Sequence, residues 1–193
     1  MKIIRAIKLS FIGGASGFLD VVIAYILSLI IQTHSLTLDF IMNGLIFIVV
    51  GEGVMLSFIF ATAQSKEKKA KLLIGGIIGG FCTGLFFHFG IGQYVGIIIF
   101  SALIALIFKM ISSPQASKIF LGGCLGGLGS SIFSGIFLIS WSRIESTHIF
   151  FQNQLSIIPT IVNTVIIVYF MNFGMLIAMK NNTNNRNPSR SGE

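Results

Sequence analysis

Charged residues are scarce in this chain. Asp, Glu, Lys and Arg make up 10% of its 193 residues, whereas soluble domains contain about 25%, and only six residues are acidic. Hydrophobic residues make up 54%, and the mean hydropathy is +0.92. A chain of this composition has too little polar surface to cover its core in water. The composition therefore excludes an ordinary soluble domain and indicates a protein whose solvent is lipid.

Cysteine is also scarce, and the motifs of soluble enzymes are missing. Cys82 and Cys124 lie in separate glycine-rich apolar segments, where we interpret them as small buried hydrophobic residues, with a disulfide or metal site as the alternative. His34 and His148 lie far apart, without Cys or acidic residues at ligand spacing, so we expect no metal site. No Walker loop, Gly-x-Ser-x-Gly elbow or His-Glu-x-x-His motif occurs. We therefore expect no cofactor and no catalytic residues, and we keep an intramembrane enzyme as an alternative.

Six apolar runs are each long enough to cross a bilayer, which takes about 20 residues as a helix. They cover residues 9–31, 40–63, 72–89, 93–111, 119–140 and 157–179. The sequence therefore predicts an all-α integral membrane protein, with one transmembrane domain over residues 1–180 that is built as three helical hairpins. The Asn-rich segment 181–193 cannot bury enough apolar surface to fold, and we expect it to be a disordered cytoplasmic tail.

The basic residues predict the orientation. Twelve of the thirteen Lys and Arg residues fall on one side of the membrane: before the first run, after the sixth, or in or next to the segments that join the second run to the third and the fourth to the fifth. Only Arg143 falls on the other side. By the positive-inside rule both termini are predicted to be cytoplasmic, and we expect the membrane to be a bacterial plasma (inner) membrane. These residues alternate with apolar runs and form no continuous stripe, so the net charge of +7 does not indicate a nucleic-acid partner.

Glycine pairs recur at similar places in the first, third and fifth runs. Each pair follows a Lys by about four residues, and a further glycine comes four residues after the first of the pair. The glycines that we expect to form packing faces are Gly13, Gly17, Gly75, Gly79, Gly122 and Gly126. Two interpretations stay open: a triplicated hairpin, or three independent glycine zippers of the kind common where helices pack in lipid. Either way, we expect these three helices to be the central members of the bundle.

Two acidic residues fall near the middle of consecutive predicted spans, where a carboxylate costs about 2.5–3.5 kcal/mol. Asp20 shares one helical face with small residues, so we expect it to point into the packed interior. Glu52 is flanked by Gly51 and Gly53, which leave room for a neighbouring helix, a water or an ion. If both acids face one seam, their Cβ atoms lie within roughly 10 Å and the pair holds at least one proton. The alternative is that each acid only fixes packing.

The leading hypothesis is a transporter or channel for a proton, a small cation or a small solute. Asp20 and Glu52 would lie in the path, and Asn163, Asn172 and His88 are the candidate lining residues. The alternative is a non-catalytic accessory or scaffold subunit of a larger membrane complex, in which the acids are structural and glycine faces dock partners. In both cases the expected partners are the lipid bilayer and other membrane proteins or further copies of the chain.

Overall fold

The chain consists of α-helices in the residues that a computed structural model describes, which are 3–30, 36–62, 65–87, 92–110, 115–147 and 157–179. No strand occurs among these residues. The helices are α1 Ile3–Ile30, α2 Leu36–Ala61, α3 Lys66–Phe87, α4 Gly92–Met110, α5 Ala116–Thr147 and α6 Ile157–Ala178. Each of the six falls on one of the predicted apolar runs.

Three helices extend six or seven residues past their apolar runs. α1 begins at Ile3 and α3 at Lys66, each six residues before the predicted span, and α5 continues to Thr147, seven residues beyond it. Lys, Arg and Glu are good helix formers, so the helical hydrogen bonds of the backbone continue into these polar flanks. In the first turn of α3, Glu67 and Lys71 form an ion pair of 2.6 Å at a spacing of four residues. An apolar run therefore predicts where a span lies but not where its helix ends.

Within the described residues, five helices are long and apolar enough to cross a membrane. Their apolar segments are Ile3–Ile30, Ile41–Ala61, Lys66–Phe86, Ala116–Trp141 and Ile157–Ala178. α4 contributes a shorter apolar segment, Tyr94–Met110. The fold is thus a helical bundle of the kind found in membrane proteins. The grouping into three hairpins and the side on which the termini lie stay predictions.

The helices form a closed ring in chain order. Each helix packs against the next, and α6 packs against α1. Neighbouring helices are antiparallel where α1 meets α2: Arg5, near the start of α1, donates a hydrogen bond of 2.7 Å to the carbonyl oxygen of Phe60, near the end of α2. Halfway along α1, Ser16 lies against Gly53. Because α2 also touches α6, α1 lies over a seam between α2 and α6.

The interior of the ring is mostly apolar. The rings of Phe58 and Phe108 contact each other with centroids 5.0 Å apart, and both side chains are almost completely buried. Other fully buried core residues are Val50, Val54, Met55, Leu72, Ile97, Phe100, Ile104, Ile119, Met175 and Leu176. Large apolar side chains also cover the outside, as on α5, where Leu125 and Phe133 are about two-thirds exposed. An apolar exterior around an apolar core is what a lipid environment favours.

Glycine lets two pairs of helices approach backbone to backbone. Between α2 and α3, a Cβ atom built on Gly80 would lie 2.5 Å from the carbonyl oxygen of Phe47. Between α5 and α6, Gly122 faces the backbone of Gly174. Helix association in lipid gains little from hydrophobic burial, so close van der Waals contact at such positions holds neighbouring helices together.

The six glycines singled out from the sequence differ in how closely their neighbours approach. A Cβ atom would overlap backbone at Gly122 and Gly126, would overlap a neighbouring side chain at Gly13 and Gly75, and would fit without overlap at Gly17 and Gly79.

The expectation that the odd-numbered helices are central is wrong. Of the five long apolar helices α2 is the most buried: 56% of its most apolar stretch is buried, against 33% for α1 and 39% for α3 and α5. The reason is that the closest contacts join odd-numbered helices to even-numbered ones around a ring.

Candidate functional site

Asp20 lies in the middle of α1, on the face that packs against the rest of the bundle. The same face carries Gly13 and Gly17, which lie against side chains of α6. Only 7% of Asp20 is exposed, whereas Phe18 and Leu19, on the other side of the helix, are about half exposed. The carboxyl group is therefore held at the seam between α2 and α6 and away from the outer surface.

A partly open cavity of about 230 Å³ lies beside Asp20. It occupies the half of the bundle in which α1 and α3 end and α2 and α6 begin. Four helices line it. The lining residues are Asp20, Val21 and Ala24 of α1, Asn43, Ile46 and Phe47 of α2, Gly84 of α3, and Thr160, Asn163 and Thr164 of α6.

The carboxyl group of Asp20 has no counter-charge among the described residues that line this cavity. Its Oδ1 atom is buried and makes no hydrogen bond within the described part of the chain. None of the residues found to line the cavity is basic. A carboxylate without a partner is unfavourable in a low-dielectric interior, so such a group takes up a proton or binds a cation. The cavity is therefore chemically suited to a positively charged occupant.

α6 supplies a polar wall. Thr160, Asn163 and Thr164 are spaced by three and four residues and so share one helical face. The amide of Asn163 is held in place, because its Oδ1 atom accepts a hydrogen bond from Oγ of Ser134 on α5. Hydroxyl and amide groups both donate and accept hydrogen bonds. The wall thus offers neutral hydrogen-bonding groups in the same cavity as the single acid.

Two lining residues, Asn43 and Thr160, do not follow from the sequence hypothesis, although a signal for each is present. Thr160 precedes Asn163 and Thr164 at the spacing of a helical face, which predicts a polar stripe on the last span. Asn43 follows a short connection, and antiparallel packing places the start of the second helix beside the second half of the first. Neither signal identifies a cavity residue until it is known which helix packs against that face.

Glu52 does not share this site, contrary to the hypothesis of a coupled acid pair. It is not among the residues that line the cavity. Its Oε1 atom instead lies at the contact of α2 with α3, 2.9 Å from the place that a Cβ atom on Gly76 would occupy. The exposed residues Leu45 and Leu56 lie on the same face of α2 as Glu52, seven residues before it and four after it.

The two acids also lie at different depths. Ser16 of α1 faces Gly53 of α2, so Asp20, four residues later, lies level with the residue four before Gly53, which is Val49. Glu52 is three residues from that level, or about 4.5 Å along the axis at roughly 1.5 Å per residue. The glycines beside Glu52 open space toward different helices, since Gly53 meets α1 and Gly51 meets α3. Flanking glycines therefore do not predict that the acid itself faces α1.

Asn172 lies in the other half of the same seam. Its Oδ1 atom accepts a hydrogen bond of 2.8 Å from Oγ of Ser57, and its Nδ2 atom lies against Gly13. Nδ2 is buried and has no hydrogen-bond partner among the described residues. Asn172 is completely buried and does not line the cavity. His88, the remaining candidate lining residue, lies outside the described residues.

The described residues contain no group of three or more His, Cys, Asp or Glu side chains placed to hold a metal ion. Cys82 and Cys124 are free thiols. Comparison of the chain with protein-family models, with curated proteins and with solved structures finds no match. The argument for function therefore starts from the cavity, its one carboxyl group and its neutral polar wall.

Proposed function

We propose that this chain is a non-enzymatic, multi-pass membrane protein that transports or conducts a proton, a small cation or a small solute. The observation that carries the proposal is the buried carboxyl group of Asp20 beside a partly open cavity of about 230 Å³, with an Oδ1 atom that has no hydrogen-bond partner among the described residues. Ionisable groups inside membrane spans are costly, and they commonly mark a path for ions or substrates. Among the described lining residues Asp20 is the acid that could fill that role, and Glu52 lies outside the cavity.

The proposed topology has three hairpins, with both termini in the cytoplasm of a bacterial cell. The support is the distribution of basic residues, twelve of thirteen of which fall on one side. In that orientation the cavity lies in the outer half of the membrane, because it is lined by the end of α1 and the beginnings of α2 and α6. A solute would then enter the cavity from outside the cell.

A second candidate function is that of an accessory or scaffold subunit. The observation that favours it is a long apolar face on α5, whose large side chains are more than half exposed: Leu121, Leu125, Ile132, Phe133, Ile136 and Ile139. In this alternative the face docks a membrane-protein partner or a second copy of the chain. In a transporter that acts alone, the same face meets lipid. The two functions differ in the role of Asp20, which is needed for flux in a transporter and is structural in a scaffold subunit.

Flux in proteoliposomes tests the proposal. The full chain is reconstituted, and gradients of protons, sodium, potassium or an organic ammonium ion are imposed in turn; a pH-sensitive dye inside reports proton flux, and uptake of the labelled ion reports the others. We expect at least one gradient to drive flux that Asp20→Asn abolishes, since an amide neither binds a cation as a carboxylate does nor releases a proton.

Glu52→Gln is the matched control, because it removes the other carboxyl group from the middle of a span without touching the cavity. It should leave the flux unchanged. If no gradient drives flux that depends on Asp20, while both variants stay folded, the transport proposal fails and the scaffold function is favoured. If both substitutions abolish flux equally, the assignment of the path to the Asp20 cavity fails.

A further inference from the structure

The charges in the cavity select a monovalent cation. Among the described residues that line the cavity, Asp20 is the one that carries a formal charge. One carboxylate neutralises one positive charge, whereas a divalent ion would keep a net charge in a low-dielectric site. An anion would be repelled by the carboxylate and would meet no basic side chain among these residues. The cavity is therefore matched to a single positive charge.

The walls of the cavity select a molecule with an apolar part. Val21 and Ala24 of α1 and Ile46 of α2 present apolar surface. The residues of α6 supply the hydroxyl and amide groups described above. Pockets for organic ligands typically combine apolar lining with a few polar groups that fix orientation. A bare inorganic ion would leave the apolar wall in contact with water alone.

The size of the cavity sets the size of the apolar part. An engineered protein cavity of about 150 Å³ binds benzene. The volume of about 230 Å³ beside Asp20 exceeds that. It therefore accommodates a group the size of a benzene ring together with a short arm that carries the charge.

We propose that the Asp20 cavity binds an organic ammonium ion whose apolar part is about as large as a benzene ring. The ammonium group would lie against the carboxyl group of Asp20, and its remaining N–H groups would donate to oxygens of the polar wall. The apolar part would lie against α1 and α2. This inference rests on the proposed function, because it names the substrate class of the same cavity.

Three probes of similar shape test the substrate class: benzylammonium, benzyl alcohol and benzoate. Their binding to the full chain in phosphatidylcholine nanodiscs is measured by isothermal titration calorimetry at neutral pH, with empty nanodiscs to subtract partition into lipid. We expect benzylammonium to bind at least about tenfold more tightly than benzyl alcohol, because its ammonium group forms a charge-assisted hydrogen bond with the carboxylate and the neutral hydroxyl group forms a weaker one. Benzoate should not bind. Equal binding of benzylammonium and benzyl alcohol would overturn the inference.

Two variants locate the site. Asp20→Asn removes the charge and should weaken benzylammonium binding at least about tenfold while leaving benzyl alcohol nearly unchanged. Ala24→Leu fills the cavity, keeps the carboxyl group and should weaken the binding of both probes. Ala15→Leu, at an exposed position of the same helix, is the control and should bind as the unmodified chain does. Unchanged benzylammonium binding in Asp20→Asn and Ala24→Leu would overturn the inference.

The two proposals fail in distinguishable ways. If proton, sodium or potassium flux depends on Asp20 but benzylammonium does not bind, the substrate class is wrong and the transport proposal stands. If benzylammonium binds in an Asp20-dependent way but no gradient drives flux, the substrate class stands. In that case transport by this chain alone is wrong.

Discussion

Gly80→Ala is expected to weaken the bundle much more than Gly79→Ala, although the two glycines are adjacent on α3. A Cβ atom on Gly80 would lie 2.5 Å from the carbonyl oxygen of Phe47 and 2.8 Å from Cα of Ile48. A Cβ atom on Gly79 would lie 3.6 Å from the ring of Phe100, which is an ordinary van der Waals distance. Backbone therefore closes the space at Gly80 and only side chains border it at Gly79.

The magnitude follows from this difference. To restore ordinary contact at Gly80, the backbone of α2 must move from 2.5 Å to at least 3.4 Å, a shift of roughly 0.9 Å. Backbone cannot rotate away as a side chain does, so the two helices must separate, and overpacking of this kind costs about 1–3 kcal/mol. Both substitutions gain the same helix propensity, which is at most about 1 kcal/mol and cancels in the comparison. We expect Gly80→Ala to be less stable than Gly79→Ala by about 1–3 kcal/mol.

The assay is the unfolding of each full-length variant in mixed micelles by titration with dodecyl sulfate, followed by circular dichroism. The adjacent position serves as the control, because depth in the membrane, helix and chemical change are all the same. Equal free energies of unfolding would refute the backbone contact between α2 and α3. A more stable Gly80→Ala variant would refute it as well.

Three further predictions concern the acids, the seam and the topology. Glu52→Gln should leave any Asp20-dependent flux within about twofold of the original, because Glu52 does not line the cavity; a loss of flux as complete as that of Asp20→Asn would contradict this. Ser57→Ala should cost about 0.6–2 kcal/mol of unfolding free energy, the usual range for a hydrogen bond between spans, and should cost nothing further once Asn172 is replaced by Ala. In a cysteine-free background, a cysteine at Ser146 but not one at Ser65 should react with an impermeant thiol reagent added outside the cell, and the reverse pattern would invert the proposed topology.

The sequence alone was enough to predict where the helices lie, though not where each one ends, because the signal is strong and local. Each span must satisfy its backbone hydrogen bonds within itself in lipid, so an apolar run of span length has few alternatives to a helix. All six helices lie on the predicted runs. The inward orientation of Asp20 was also predictable, since Gly13 and Gly17 mark the packed face of the same helix and side chains three or four residues apart share a face.

The position of Glu52 was not predictable in the same way. The glycines before and after it lie on different sides of α2, and each packs against a different neighbour. The sequence of one helix does not indicate which neighbouring helix contains the other acid. The depth of Glu52 relative to Asp20 was not predictable either, because the register of α1 and α2 is fixed by the contact of Ser16 with Gly53 and not by the connection between the helices. Which residues of two helices face each other is decided by how the helices pack.

The seam that α1 covers differs between its two halves, and that difference bears directly on transport. Around Asp20 it contains the cavity, whereas beyond it Ser16 lies against Gly53 and Asn172 is hydrogen-bonded to Ser57. The closed half is not purely apolar, since it holds a hydroxyl and an amide whose Nδ2 atom has no partner among the described residues. Exchanging one hydrogen bond for another costs less than exposing apolar core, so a polar contact is the easier one to open and close. In the proposed transport, a cation that leaves Asp20 for the other side of the membrane would have to pass this contact, so we expect the barrier to lie between α1, α2 and α6.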